Sequence, residues 1–157
     1  MYYSILLRIL EAKSQKMSKK VTFNYADTKL NLSDKNKVKE FIETIFKKEK
    51  KKLEAINYIF CSDEFLLTIN KDHLQHDYYT DIITFDLSET TETIAEVYIS
   101  VDRIKDNAKQ LKTPFNEEAL RVIFHGALHL CGYKDKKKDE VQLMRSKEDY
   151  YIKLYLK

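Results

Sequence analysis

Residues 124–135 read Phe124-His125-Gly126-Ala127-Leu128-His129-Leu130-Cys131-Gly132-Tyr133-Lys134-Asp135, the chain's densest concentration of chemically capable side chains. In a helix, residues four apart stack on one face, one turn apart. The imidazoles of His125 and His129 can therefore reach a single metal ion. Gly132, three residues on, is where a helix can stop in the left-handed conformation and fold back, and Asp135 falls just past that turn. The pattern H-x-x-x-H-x-x-G-x-x-D offers two nitrogen ligands and one oxygen ligand, with a fourth position left for water. That is the donor set of a catalytic rather than a structural zinc. His125, His129 and Asp135 are thus the candidate ligands of one zinc ion, with His125 the candidate catalytic residue.

The chain holds four histidines, and two of them fall in this pattern. Histidines four apart also arise as surface pairs or as hydrogen-bonded core residues. Here Val122, Ile123, Phe124, Leu128 and Leu130 surround them, which places the pair in a mostly buried helix. Two imidazoles in such a helix carry a desolvation cost unless something satisfies them. Metalloprotease helices place a glutamate directly after the first histidine as general base, but this chain has Gly126 there. A residue without a side chain cannot activate water. Activation falls to another residue or to the metal's Lewis acidity, which argues against standard peptidase chemistry. Cys131, two residues after His129, points to the other side of the helix and reads as packing.

Gly126 and Gly132 are the chain's two glycines and Pro114 its single proline. A length of 157 residues suits one domain with a real hydrophobic core. Apolar content of 43% and charged content of 34% suit a globular protein with a heavily solvated surface. The net charge of +3 permits a polyanionic partner without demanding one. Cys61 and Cys131 make no disulfide framework and nothing marks the chain as secreted, so a cytoplasmic location is expected. The apolar run at 2–10, interrupted by Arg8, is too short to span a bilayer and lacks a cleavage site; no membrane role is expected. Met17-Ser18-Lys19-Lys20 looks like a second possible start. Residues 1–16 are accordingly expected to be an N-terminal extension outside a core domain of residues 17–157.

Alternation of Val21, Phe23 and Tyr25 predicts a strand over 21–26. Ser33 or Asp34 can cap a helix running to about 51, with Val38, Phe41, Ile42, Ile45 and Phe46 on one face. A second strand is predicted at 55–61, followed by a helix at 63–73. Two further strands, at 82–87 and 94–101, flank an acidic turn. A short helix follows at 102–111, Pro114 opens the helix that carries the histidine pair, and a last helix spans about 139–156. No internal repeat or linker interrupts this order. The fold class is α+β: a single domain with an approximately four-stranded mixed sheet, helices packed on it, and the metal site on a central helix.

Two lysine-rich runs flank these elements. Lys47, Lys48, Lys50, Lys51 and Lys52 read as a solvated helix end, where cations also suit the dipole. Lys134, Lys136, Lys137 and Lys138 surround Asp135. Positive charge beside a metal attracts an anionic substrate and favours phosphodiester over peptide chemistry. In the polar segment 72–81, His73 and His76 have a spacing that could reach a metal, or they belong to a surface loop with local hydrogen bonds. Thr80-Asp81, directly before an apolar strand, can pin that loop against the neighbouring site.

Three stretches together resemble the YbeY family of metal-dependent endoribonucleases, the ribosomal RNA maturation factors. The first is the run His125 to Asp135, similar to the family signature of two helical histidines, glycine, tyrosine and a third ligand. The second is Ile69-Asn70 with Thr80-Asp81-Ile82-Ile83-Thr84-Phe85. The third is Ala95-Glu96-Val97-Tyr98-Ile99-Ser100. The resemblance covers Val21 to the C-terminus. It implies single-strand-specific RNA cleavage, maturation of the 3′ end of small-subunit ribosomal RNA, and ribosome quality control, with zinc as cofactor and RNA as partner. Two positions depart from the family pattern. Asp135 stands where the third ligand is commonly histidine, and a harder, anionic donor changes metal affinity and the pKa of bound water. Leu74 stands where the family commonly carries an arginine thought to grip RNA. Leucine cannot hold a phosphate, so that role is lost or moves to His73, His76 or a lysine such as Lys134 or Lys136.

Two other functions compete with this expectation. One is a zinc hydrolase of another bond, including a peptidase, against which Gly126 counts. The other is a ribosome-associated factor with a structural metal that cleaves nothing, an option kept open by Leu74.

Overall fold

Four strands and five helices follow one another along residues 20–157, the part of the chain that the computed structural model describes. The expected extension at 1–16 and the second start at Met17 lie outside the described residues. The order is β1 (Val21–Tyr25), α1 (Lys35–Lys48), β2 (Lys52–Cys61), α2 (Asp63–Leu74), β3 (Ile82–Asp86), β4 (Glu92–Ser100), α3 (Val101–Leu111), α4 (Phe115–Leu130) and α5 (Lys138–Leu156). The strands form one mixed sheet in the order β1-β2-β4-β3. β1 and β4 run parallel to β2, and β3 runs antiparallel to β4. The expected α+β class, strand number and mixed sheet are all present.

Central strands that pair in parallel with each other tend to be covered on both faces and to read as continuous apolar runs. β2 and β4 behave this way: Tyr58 to Cys61 and Ala95 to Ser100 are buried without alternation. On one face α1, α4 and α5 enclose the main core, where Phe46, Tyr58, Phe60, Val97, Phe124 and Tyr151 are almost wholly out of water. On the other face α2 lays Leu66 and Ile69 over Ile59, Ile83 and Tyr98. The buried Tyr58 hydroxyl donates to Ile123 O at 3.0 Å, tying the sheet to α4. A phenol so placed needs a partner, since an unpaired buried hydroxyl costs about 1–3 kcal/mol.

Several boundaries differ from the sequence expectation. The first helix ends at Lys48 rather than near 51, because Lys50 turns into the left-handed region at φ 56°. Lys51 N then donates to Phe46 O at 2.9 Å and closes the helix. The next strand accordingly starts at Lys52, three residues early, with Lys47, Lys48, Lys50, Lys51 and Lys52 all exposed around the turn. Gln75 and Lys112 perform the same turn at φ 56° and 54°. The chain thus stops three helices without glycine, at a steric cost for each β-carbon. Among the described residues no helix is long and apolar enough to cross a membrane.

Candidate metal centre

α4 positions the first two candidate ligands. Glu117 and Glu118 in its first turn suit the positive end of the helix dipole, and its apolar face is buried from Ala119 to Leu128. Gly126 is where this helix presses on the sheet: a β-carbon there would meet Ile82 Cδ1 at 3.0 Å and Val97 Cγ1 at 3.1 Å. The position after the first histidine therefore faces packed strands, with no room for the glutamate of a peptidase. His125 and His129 flank that contact and line the cleft beside it, ring centroids 4.5 Å apart and nearly perpendicular at 86°.

The helix then ends as the motif predicted. Gly132 takes φ 105°, Tyr133 N donates to Leu128 O at 3.1 Å, and Gly132 N to His129 O at 2.9 Å. This pair of bonds is the Schellman closure. Reversal of the chain brings the Tyr133 carbonyl to 2.9 Å from His129 Nδ1 and swings Asp135 over both rings. Asp135 Oδ2 lies 3.2 Å from His125 Nε2 and 3.2 Å from His129 Nε2. The ligand atoms of the three residues all lie within 4.8 Å of one another.

Proton placement decides what this cluster wants. His125 Nδ1 faces Glu148 Oε1 at 2.6 Å, and His129 Nδ1 faces a carbonyl. Both partners only accept, so each Nδ1 must carry the proton. In neutral imidazoles, both Nε2 lone pairs then point at a carboxylate oxygen. Three acceptors converging on one point repel unless a cation or extra protons lie among them. Ligands about 2.0–2.2 Å from a tetrahedral zinc sit roughly 3.3 Å apart, close to the two 3.2 Å separations here. The residues present therefore fit a zinc-like ion. Burial pulls the His125 pKa down most strongly, but the Glu148 hydrogen bond and charge, with Asp135 and Asp81, hold it above its ordinary value. Without a cation, protons would fill the role.

Glu148 escaped the sequence reading. It is 4% exposed and also accepts from Arg121 Nη1 at 3.2 Å and Arg145 Nη1 at 3.3 Å. A signal was present: Met144, Tyr151, Ile152 and Tyr155 form the buried stripe of α5, and Glu148 falls on it at helical spacing. A carboxylate inside an apolar stripe asks for a buried partner. Glu49, at the end of α1, was likewise missed. It accepts from Tyr133 Oη at 2.8 Å and Lys147 Nζ at 2.9 Å, and from Tyr151 Oη, anchoring the turn that delivers Asp135. Glu140 Oε2 holds the other side of the loop, accepting from Lys136 N and Lys137 N at 3.1 Å each. Asp139 stands in the first turn of α5, outside the converging set. Cys131 is buried, its thiol pushed up to about 12 by desolvation, in keeping with packing.

Two clefts reach the candidate ligands, His129 lining only the second. One, of about 350 Å³, runs between α4 and α5 past Arg121, Arg145 and Glu148. The other, of about 640 Å³, crosses the β3 side past Asn70, His76, Tyr78 and Lys136. Asp81, His125 and Asp135 line both. Burial raises the Asp81 carboxyl pKa despite the opposing charge of His125. Of the residues expected to contact RNA, His76 and Lys136 line the larger cleft, as does Leu74. His73 instead sits edge-on against Phe85, 6.2 Å between ring centroids. Lys134 lines a separate hollow with Glu49 and Tyr133.

Comparison with known proteins bears on this arrangement. The family described as Endoribonuclease YbeY matches residues 20–155. A protein of Cytophaga hutchinsonii named Endoribonuclease YbeY is 48% identical over 135 residues, covering 85% of this chain and 94% of the relative. A Flavobacterium johnsoniae protein of the same name is 43% identical, covering 86% of this chain and 96% of the relative. A Bacteroides fragilis protein of that name is 41% identical over 82% of this chain and 93% of its own. Among solved structures, TM1509 from Thermotoga maritima shares the fold with a TM-score of 0.57 at 23% identity, covering 86% of this chain and 88% of that one. With the family matched from the first described strand to the last helix, the chain belongs to the YbeY endoribonuclease family.

Proposed function

We propose that this chain is a zinc-dependent, single-strand-specific endoribonuclease acting in the cytoplasm on ribosomal RNA. Its proposed tasks are maturation of the 3′ end of small-subunit ribosomal RNA and ribosome quality control. The observation that carries this reading is the convergence of His125 Nε2, His129 Nε2 and Asp135 Oδ2 at the junction of two open clefts, in a member of this family. These three residues would hold the zinc, with His125 central to both clefts. Bound there, zinc supplies Lewis acidity that stabilises charge developing on a phosphate in the transition state.

The protein's own groups prepare that chemistry. Glu148 and the Tyr133 carbonyl keep a proton on each Nδ1, so both Nε2 lone pairs stay directed at the centre. The Schellman turn and Glu49 fix the reach of Asp135. Lys136, exposed on the cleft wall, offers a cation to the phosphate backbone. Peptidase chemistry is disfavoured by the packing around Gly126. The proposed domain is residues 17–157, with 1–16 outside it, supported by the family match at 20–155.

Metal analysis and cleavage assays test the reading together. Wild-type protein should hold about one zinc ion and cut single-stranded ribosomal RNA but not casein. Asp135→Ala should lose most of the metal, and His125→Ala both metal and cleavage. Full zinc in Asp135→Ala would remove Asp135 from the site. RNA cut equally well by His129→Ala protein would point to a contaminating nuclease. Deleting residues 1–16 should leave cleavage unchanged.

A further inference from the structure

The larger cleft is poorly equipped to hold RNA by charge. Its lining carries three carboxylates, Asp81, Asp86 and Asp135, against one lysine, Lys136. A divalent ion on the ligand trio would bring that balance only to about neutral, and phosphate-driven affinity grows with the number of cations facing the strand. Leu74, 40% exposed on the rim, contributes no donor.

What the rim does present is aromatic. The rings of His76 and Tyr78 are stacked, centroids 5.1 Å apart with 22° between planes. Tyr78 Oη lies 2.9 Å from His76 Nδ1, so each ring fixes the other. Tyr78 is nevertheless 55% exposed. The backbone beneath is tethered: the buried Asn70 donates from Nδ2 to Tyr78 O at 2.9 Å, and His76 N donates to Asn70 O at 3.1 Å. A bare aromatic ring already held in one pose loses little freedom when something stacks on it.

We propose that the His76–Tyr78 pair is a platform on which an unpaired nucleobase of the RNA stacks, in the same cleft as the ligand trio. This rests on the endoribonuclease reading and names how that site selects its substrate. A base inside a duplex has both faces covered, whereas an unpaired base can offer one to an aromatic ring. Stacking tolerates any base, so the platform selects single strands without selecting sequence.

The test uses full-length, zinc-loaded protein with a labelled phosphorothioate-linked oligoribonucleotide, checked on a gel to be uncut, and a hairpin of the same composition. Tyr78→Ala should weaken binding of the single strand on the order of tenfold and leave the hairpin unaffected, while Tyr78→Phe, which keeps the ring but loses its bond to His76, should retain most of the wild-type binding. An abasic nucleotide stepped along the oligonucleotide should find one position where wild type loses a similar factor and Tyr78→Ala loses nothing further. Equal binding by wild type and Tyr78→Ala, or additive losses at every abasic position, overturns the platform. Wild type that cleaves single strands with Tyr78→Ala unimpaired overturns the platform alone. Wild type that neither binds nor cleaves overturns the endoribonuclease reading with it.

Discussion

Glu148 Oε1 lies 2.6 Å from His125 Nδ1, across two helices and 23 positions of sequence. The carboxylate is almost fully buried, and Arg121 and Arg145 share its second oxygen, so its charge is compensated while its first oxygen remains committed to the imidazole. A histidine held this way presents one nitrogen to a metal in one orientation. Glu148→Gln keeps the shape and an acceptor but removes the charge. It should lower zinc affinity about tenfold to a hundredfold, measured by competition with a chelating dye, and also lower the unfolding midpoint, because Arg121 and Arg145 lose their shared counter-charge. Unchanged affinity would show that the ring needs no anionic partner.

Gly126 lies under Ile82 and Val97 at distances that a β-carbon would crowd. Alanine gains up to about 1 kcal/mol in helix propensity, but overpacking typically costs about 1–3 kcal/mol. Val97, fully buried and short, has little freedom to yield. Gly126→Ala should therefore lose roughly 1 kcal/mol net, seen as a lower denaturant midpoint with an unchanged slope. A gain in stability would mean that the sheet recedes.

Burial works to raise the Glu49 pKa, but hydrogen bonds from Tyr151, Lys147 and Tyr133 outweigh it and hold the carboxyl below its ordinary 4.5. The unfolded chain then binds that proton more readily than the folded one. The stabilisation is present above 4.5 and is lost as pH falls through the lower folded value. Lys147 behaves oppositely: its bonds to Tyr133 and Glu49 hold it above 10.5, so its contribution is present below that pH and fades as pH rises through the folded value. Glu49→Gln should be clearly less stable than wild type near neutral pH, with the gap closing in acid. Thermal midpoints collected across pH check this, and a gap that stays constant into acid would contradict it.

Lys112 ends α3 at φ 54°. The left-handed conformation costs a residue with a β-carbon about 1–2 kcal/mol, partly offset because glycine has more freedom to lose on folding. Lys112→Gly should gain about 0.5–1 kcal/mol, measured as an increase in unfolding free energy, with RNA cleavage unchanged.

Much of this was legible in the sequence for a physical reason: it is local. The spacing of His125, His129, Gly132 and Asp135 encodes one helix, one turn and one reach, and all three form. Helix and strand identities followed from apolar periodicity. Boundaries failed at 48–55, where a lysine adopts a conformation normally signalled by glycine. Glu148 and Glu49 were illegible because their partners lie on other helices. The division of His73 from His76, and of Lys134 from Lys136, depended on which way each side of the loop faced, which residue type does not encode.

Tyr133 spans two jobs, its carbonyl on His129 and its hydroxyl on Glu49. Thermodynamic linkage makes such an arrangement reciprocal. In the proposed zinc-loaded protein, whatever steadies the junction of α1 and α5 would also tighten the grip on the ion, and ion loading would in turn strengthen that junction. The N-terminal helix of the described domain, which supplies none of the proposed ligands, would thereby become a silent partner in metal affinity.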